Sequence, residues 1–259
     1  MKKTKIRNTP KGNKKLKKIT LKDKLAQIYN SVDLRTTCCR NLTCCSIGCP
    51  SMNMCEFTQL MQEIWNKESK ERKSDLICKS LEYFFHNDFA KFGMETMQKK
   101  CMLLDEGNKG CSYYESRPLN CRLYGLWPED VYKARVDRFE KAYQGLLTRD
   151  QLPLNTQCPN VRRVDPSKPL TKEVFDEMFA RLDDLDRQII GFSNVQIKNR
   201  ENYRTLHDWI LYKVFGEEFL SAMTTFMMAA SKEVIADQLE QIKVAARARF
   251  MKEENEEVE

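Results

Sequence analysis

The stretch DLRTTCCRNLTCCSIGCPSMNMC, residues 33–55, holds six of the chain's eleven cysteines, and two of its pairs, Cys38–Cys39 and Cys44–Cys45, are adjacent. A thiolate can act as a nucleophile, a redox group or a soft metal ligand. Catalysis by a thiol needs a base beside it, and the chain has only two histidines, His86 and His207. Both fall in stretches that read as helix, where packing or surface roles are expected. A disulfide framework fits poorly, because the cysteine count is odd and vicinal cysteines are poor partners on geometric grounds. Core packing accounts for Cys78, which recurs with Leu81, Phe85, Phe89 and Phe92 on one helical face. It does not account for residues 33–55, which show no such period. The remaining ten, Cys38, Cys39, Cys44, Cys45, Cys49, Cys55, Cys101, Cys111, Cys121 and Cys158, are the candidate metal ligands.

The later cysteines lie mainly in KKCMLLDEGNKGCSYYESRPLNCRLYGLWPED, residues 99–130. CMLL suits a short strand, DEGNKG carries turn chemistry with two glycines, and CSYYE suits a returning strand. This pattern predicts a β-hairpin with Cys101 and Cys111 near its base. The Ser-Arg-Pro turn that follows can bring Cys121 back to the same place, so hairpin and turn together would deliver three thiolates to one point. Cys158, in NTQCPNV, is either a late ligand or a lone loop thiol.

Residues 101–124 resemble the signature of the cysteine-cluster family described as a zinc- or iron-chelating domain, the YkgJ-type family. The matching positions are Cys101, Cys111, Tyr113, Arg117, Pro118, Cys121, Arg122 and Tyr124. With the upstream cysteines and Cys158 counted, the resemblance spans about residues 33–160. The family's upstream run is compact and ends in one vicinal pair, whereas this chain has two such pairs and two further cysteines. The resemblance implies a metal held by cysteine thiolates. It also covers Arg117 and Arg122, which are expected as cofactor-binding residues that offset the negative charge of a thiolate cluster or donate to its sulfurs. The competing expectation is that Arg117 caps its own turn and Arg122 reaches a surface carboxylate.

Ten thiols exceed the four that one zinc ion or one cubane needs, so one site and two sites are both open. Residues 38–55 contain no CxxC knuckle of the zinc type and no ferredoxin CxxCxxCxxxC run. Abundant thiol with almost no histidine favours an iron-sulfur cluster, of the 4Fe-4S kind, and zinc is the alternative.

These ligands need elements to position them. PEDVYKARVDRFEKAYQGLL (128–147) opens with Pro128 and two acids, and Tyr132, Val136, Phe139, Tyr143 and Leu146 share a face. TKEVFDEMFARLDDLDRQII (171–190) repeats the pattern through Val174, Phe175, Met178, Phe179, Leu182 and Leu185. Two more amphipathic segments follow, near 199–215 and 216–251. The expected class is mainly α: a helical domain around a small cysteine-rich metal-binding core, with one short β-hairpin supplying about two strands. The expected organisation is a basic flexible arm (1–24), a cysteine-rich metal-binding region (25–165), a helical region packed on it (166–251) and an acidic tail (252–259).

The net charge is +7, but residues 1–24 alone carry eleven Lys or Arg against one Asp, or +10, so the remainder carries −3. Such an arm suits docking on a larger protein complex. Nucleic acid bound through residues 2–24 is not favoured, since no aromatics interleave the lysines. The longest apolar stretch, FLSAMTTFMMAA (219–230), falls short of the ~20 residues of a membrane helix, and no apolar segment follows the N-terminal lysines. No membrane insertion and a cytoplasmic location are therefore expected. Walker, GxGxxG, GxSxG, HExxH and CxxxCxxC motifs are absent. Three functions remain open. The first is an iron-sulfur accessory or electron-transfer protein, the second a structural zinc- or iron-chelating interaction module. The third is a metal-dependent methyltransferase-like enzyme, since flagellin lysine N-methylases carry a similar cysteine cluster.

Overall fold

The computed structural model describes residues 19–33, 36–38, 45, 48–90, 100–105, 107, 110–142, 161–163, 170–190 and 203–252. Residues 1–18 of the arm, residues 253–259 of the tail, and Cys39, Cys44 and Cys158 lie outside them. The elements run α1 (Leu21–Asp33), β1 (Thr36–Cys38), β2 (Ser51–Asn53), α2 (Met54–Lys67), α3 (Lys70–Ala90), β3 (Leu104–Asp105), β4 (Gly110–Cys111), α4 (Leu119–Arg122), α5 (Glu129–Ala142), β5 (Val161–Arg163), α6 (Lys172–Ile190), β6 (Tyr203–Thr205), α7 (Leu206–Phe215), α8 (Glu217–Ala229) and α9 (Lys232–Lys252). The protein is mainly α. No helix among the described residues is long and apolar enough to cross a membrane.

Local chemistry sets the helix ends. Asp23 N–H donates to Thr20 Oγ1 at 3.2 Å and Thr20 N–H to Asp23 Oδ2 at 3.0 Å, a reciprocal cap that starts α1 inside the last residues of the basic arm. The sequence places Pro128 just before α5, where the missing N–H costs nothing, and its carbonyl accepts Tyr132 N–H at 2.9 Å. Gly216 separates α7 from α8 with φ 85 and ψ 172, a backbone region that is essentially glycine-only.

Two buried clusters hold the helices together. In the first, Phe57, Leu60 and Ile64 of α2, Leu76, Leu81 and Phe85 of α3, and Trp209, Ile210 and Leu211 of α7 interlock over residues of α8 and α9. Phe57 stacks on Trp209 with ring centroids 5.4 Å apart. The second joins Leu25, Ile28 and Val32 of α1 to Phe175, Met178, Leu182 and Leu185 of α6, with Leu119 and Leu123 from α4. Each such side chain contributes roughly 1.5–3 kcal/mol by leaving water. Helix α2 faces both clusters, since Cys55 at its start enters the second.

The expected hairpin is present as β3 and β4, with Leu104 opposite Cys111 and Asp105 opposite Gly110. Two further antiparallel pairs bring the described strands to six: β1 with β5, where Cys38 faces Val161, and β2 with β6, where Ser51 faces Thr205. The segment near 199–215 therefore starts as strand before α7, and the single long segment expected over 216–251 divides at Ala230 and Ser231. Residues 54–67, left without an element by the sequence reading, form α2.

Candidate metal centre

Members of the two cysteine groups of the sequence border the first core. Cys101 is buried within it, and Cys45, Cys49 and Cys111 pack against it half-buried. Cys101 N–H donates to the Cys45 carbonyl at 2.6 Å, which ties the start of the hairpin to the upstream group across α2 and α3. Between Cys45 and Cys49, Gly48 takes φ 128, a turn that a side chain would strain. Beyond it Pro50 accepts Leu206 N–H at 3.0 Å and Met52 accepts the Trp209 indole N–H at 2.9 Å, so β2 and α7 clamp the chain that carries Cys49.

The hairpin is fixed equally firmly. Leu104 N–H donates to the Cys101 carbonyl at 3.0 Å and Ser112 N–H to the Leu103 carbonyl at 3.1 Å. Met102, Leu103 and Tyr113 are buried. The Tyr113 hydroxyl donates to Glu68 and the Ser116 hydroxyl to Glu63, which holds the hairpin and the following 3-10 turn against α2.

Tyr83 of α3 lies near two of these thiols. It is buried in the first core, and its hydroxyl is close enough to Cys49 and Cys101 to feel the charge of each. Burial first, and those thiols next, hold the phenol well above its ordinary range. On its other side the ring meets the imidazole of His207, with centroids 5.6 Å apart. His207 is buried as a packing residue at the first turn of α7, its Nε2 3.1 Å from Thr205 Oγ1.

Cys55 and the turn that carries Cys121 face the second core instead. Cys55 is fully buried among its residues, its Sγ 3.7 Å from the Leu182 carbonyl, and burial beside Asp186 and Glu56 pushes its thiol far above the usual range. Cys121 is half-buried on α4, whose Leu119 and Leu123 enter that core. Its neighbour Asn120 donates to the Ser51 carbonyl at 2.6 Å, so α4 rests on the strand that follows Cys49. Cys38 lies in β1. Among the described residues no group of three or more Cys, His, Asp or Glu side chains is gathered to hold a metal ion.

The two arginines brace the turn before α4. Arg117 Nε donates to the Tyr114 carbonyl at 2.8 Å and its guanidinium lies 3.4 Å from the centre of the Tyr114 ring. Arg122 Nε donates to the Arg117 carbonyl at 2.8 Å and stacks over Tyr29 at 4.2 Å. These contacts match the cap expected of Arg117 and show Arg122 bound to backbone carbonyls.

A pair of buried acids organises the seam between the centre and the second core. Glu56 accepts from the Tyr29 hydroxyl at 2.9 Å, from Leu119 N–H at 2.6 Å and from Asn53 N–H at 3.1 Å. Burial nevertheless outweighs these donors and raises its carboxyl from 4.5 to about 7. Asp186 accepts from Cys55 N–H at 2.7 Å, Met54 N–H at 3.3 Å and the Asn53 amide at 3.0 Å, so a carboxylate from α6 caps the start of α2. Burial raises its carboxyl as well.

No family model, no curated protein and no solved structure matches this chain. The resemblance of residues 101–124 to the chelating family therefore rests on those residues themselves.

Proposed function

We propose that this chain is a cysteine-ligated metalloprotein, an iron-sulfur accessory or electron-transfer protein that docks on a larger partner in a reducing cytoplasm. The observation that carries the reading is the contact between the two cysteine groups: Cys101 N–H donates to the Cys45 carbonyl at 2.6 Å, and Cys49 and Cys111 pack against the same core. Soft sulfur donors suit iron-sulfur clusters and zinc, and four thiolates complete a cubane. Cys45, Cys49, Cys101 and Cys111 are the first candidates; no three of them are gathered as the described residues stand, so a cluster would also draw on Cys38, Cys39, Cys44, Cys121 or Cys158.

A bound 4Fe-4S cluster would supply one-electron chemistry. The chain's own part is to exclude water with Met102, Leu103 and the first core, and to fix the thiols through the Cys101–Cys45 backbone bond and the β2–α7 clamp. Docking is assigned to the +10 of residues 1–24, which would meet an acidic protein surface.

Single Cys49→Ser and Cys101→Ser variants, purified without oxygen, test the ligand set. Each should lose at least half of its iron and acid-labile sulfide while keeping the far-ultraviolet signature of the helices. Full iron and sulfide in both would remove the proposed centre.

A further inference from the structure

We infer that the groove between α1 and α6 is a docking site for an acidic segment of a partner protein, seating one aliphatic side chain on its floor and the flanking carboxylates on Lys24 and Arg181. The inference extends the docking part of the reading above to a defined surface and does not depend on what the thiols hold. The groove holds about 310 Å³, at the lower end of ligand-holding clefts and enough for a side chain or two of a peptide. Ile28 and Leu185, both buried in the second core, form its floor, and Ile19 stands at its edge, 59 % exposed. The charge of the lining is positive. Lys24 Nζ donates to the Gln188 side-chain carbonyl at 2.8 Å, from α1 to α6, a neutral partner that leaves the ammonium charge uncancelled. Arg181 enters no ion pair among the described residues. The acid of the lining, Asp184, is met by Arg187 at 3.1 Å. Just before Ile19, residues 1–18 carry nine Lys or Arg and no acid, so an acidic chain leaving the groove at this edge meets more positive charge. An apolar floor rimmed by cations suits an acidic peptide with an aliphatic anchor. It does not suit nucleic acid, because no aromatic ring lines the groove to stack a base.

The probe is a fluorescent polyglutamate peptide with one central leucine, and its twin carries serine in place of the leucine. Anisotropy titrations compare the native full chain with Arg181→Glu, Ile19→Ser and Lys133→Glu. Lys133 is exposed on α5 outside the groove, so its reversal changes the net charge as Arg181→Glu does. The native chain should bind the leucine peptide more tightly than the serine peptide. Arg181→Glu should weaken the leucine peptide about tenfold, with one attraction lost and one repulsion gained at a partly exposed site. Ile19→Ser should narrow the preference for leucine, and Lys133→Glu should bind as the native chain does. Equal weakening by Arg181→Glu and Lys133→Glu would overturn the groove in favour of net charge, and equal affinity for the two peptides would overturn its apolar seat. Binding lost on deletion of residues 1–18 but unchanged in Arg181→Glu would overturn the groove and leave docking on the arm standing. Tighter binding after removal of residues 253–259, five of them Glu, would seat the chain's own tail there in place of a partner. No binding to the native chain would overturn the site outright and leave the metal centre untouched.

Discussion

Glu56 offers the sharpest test of the buried seam, through a substitution to glutamine. The carboxyl is 3 % exposed and accepts three hydrogen bonds, from α1, from the first residue of α4 and from the strand before α2. Its proton is held up to about 7 in the folded chain against 4.5 ordinarily. Between those values the folded chain keeps a proton that the unfolded chain has lost. Lower pH therefore favours the fold, and this contribution disappears as pH rises through 7. At about 1.4 kcal/mol per pH decade the effect comes to about 3 kcal/mol. Glutamine has no charge to bury. It keeps an acceptor for Tyr29 and Leu119 but turns an amide N–H toward Asn53, leaving a buried donor unmet at a cost of about 1–3 kcal/mol. Glu56→Gln should thus be the less stable protein at pH 4. It should gain on the native chain by about 3 kcal/mol between pH 4 and pH 8, a relative rise in Tm of about 6–12 °C for a chain of this length. Urea unfolding of both proteins across that range reads the difference directly, and contributions of groups not coupled to Glu56 cancel. Parallel stability curves would show that Glu56 titrates ordinarily and that its burial has been misjudged.

Three other substitutions probe different links. Cys55→Ala should keep all iron and sulfide and lose about 1 kcal/mol of stability, as expected for a small cavity in the second core; lost iron in a folded variant would return Cys55 to the ligand set. Gly216→Ala should cost about 1–3 kcal/mol, because φ 85 with ψ 172 is closed to a side chain even though nothing stands within 4 Å of the new methyl; an unchanged Tm would mean that the α7–α8 link relaxes freely. Deletion of residues 1–18 spares the Thr20 cap, so it should leave iron content unchanged and weaken capture of the native partner; equal capture would take docking away from the arm.

The helices were legible where one face repeats in sequence. Leu81 and Phe85 in α3, and Phe175, Met178, Leu182 and Leu185 in α6, are buried as their spacing predicts. The start of α2 was hidden by its own cysteine: Cys55 closes the thiol-rich stretch, yet Phe57, Leu60, Met61 and Ile64 just beyond it form a helical stripe. The pairs β1–β5 and β2–β6 were not legible, because three-residue strands carry too little alternation and join residues more than a hundred positions apart. The β3–β4 hairpin was legible because its turn chemistry is local. The contact of Cys101 with Cys45 is tertiary and depends on α3 returning the chain to the upstream cysteines. Glu56 and Asp186 look like ordinary surface acids in sequence; only packing reveals that they cap backbone inside the protein.

The central proposal, that the chain's cysteines hold an iron-sulfur cluster, is tested most directly on the native chain purified without oxygen. Iron, zinc and acid-labile sulfide are counted per chain, and the visible spectrum is taken before and after dithionite. Iron and sulfide in about four-to-four or eight-to-eight proportion, with a brown absorption that bleaches on reduction, is the predicted result. Zinc without sulfide or colour, or no metal at all, would contradict it.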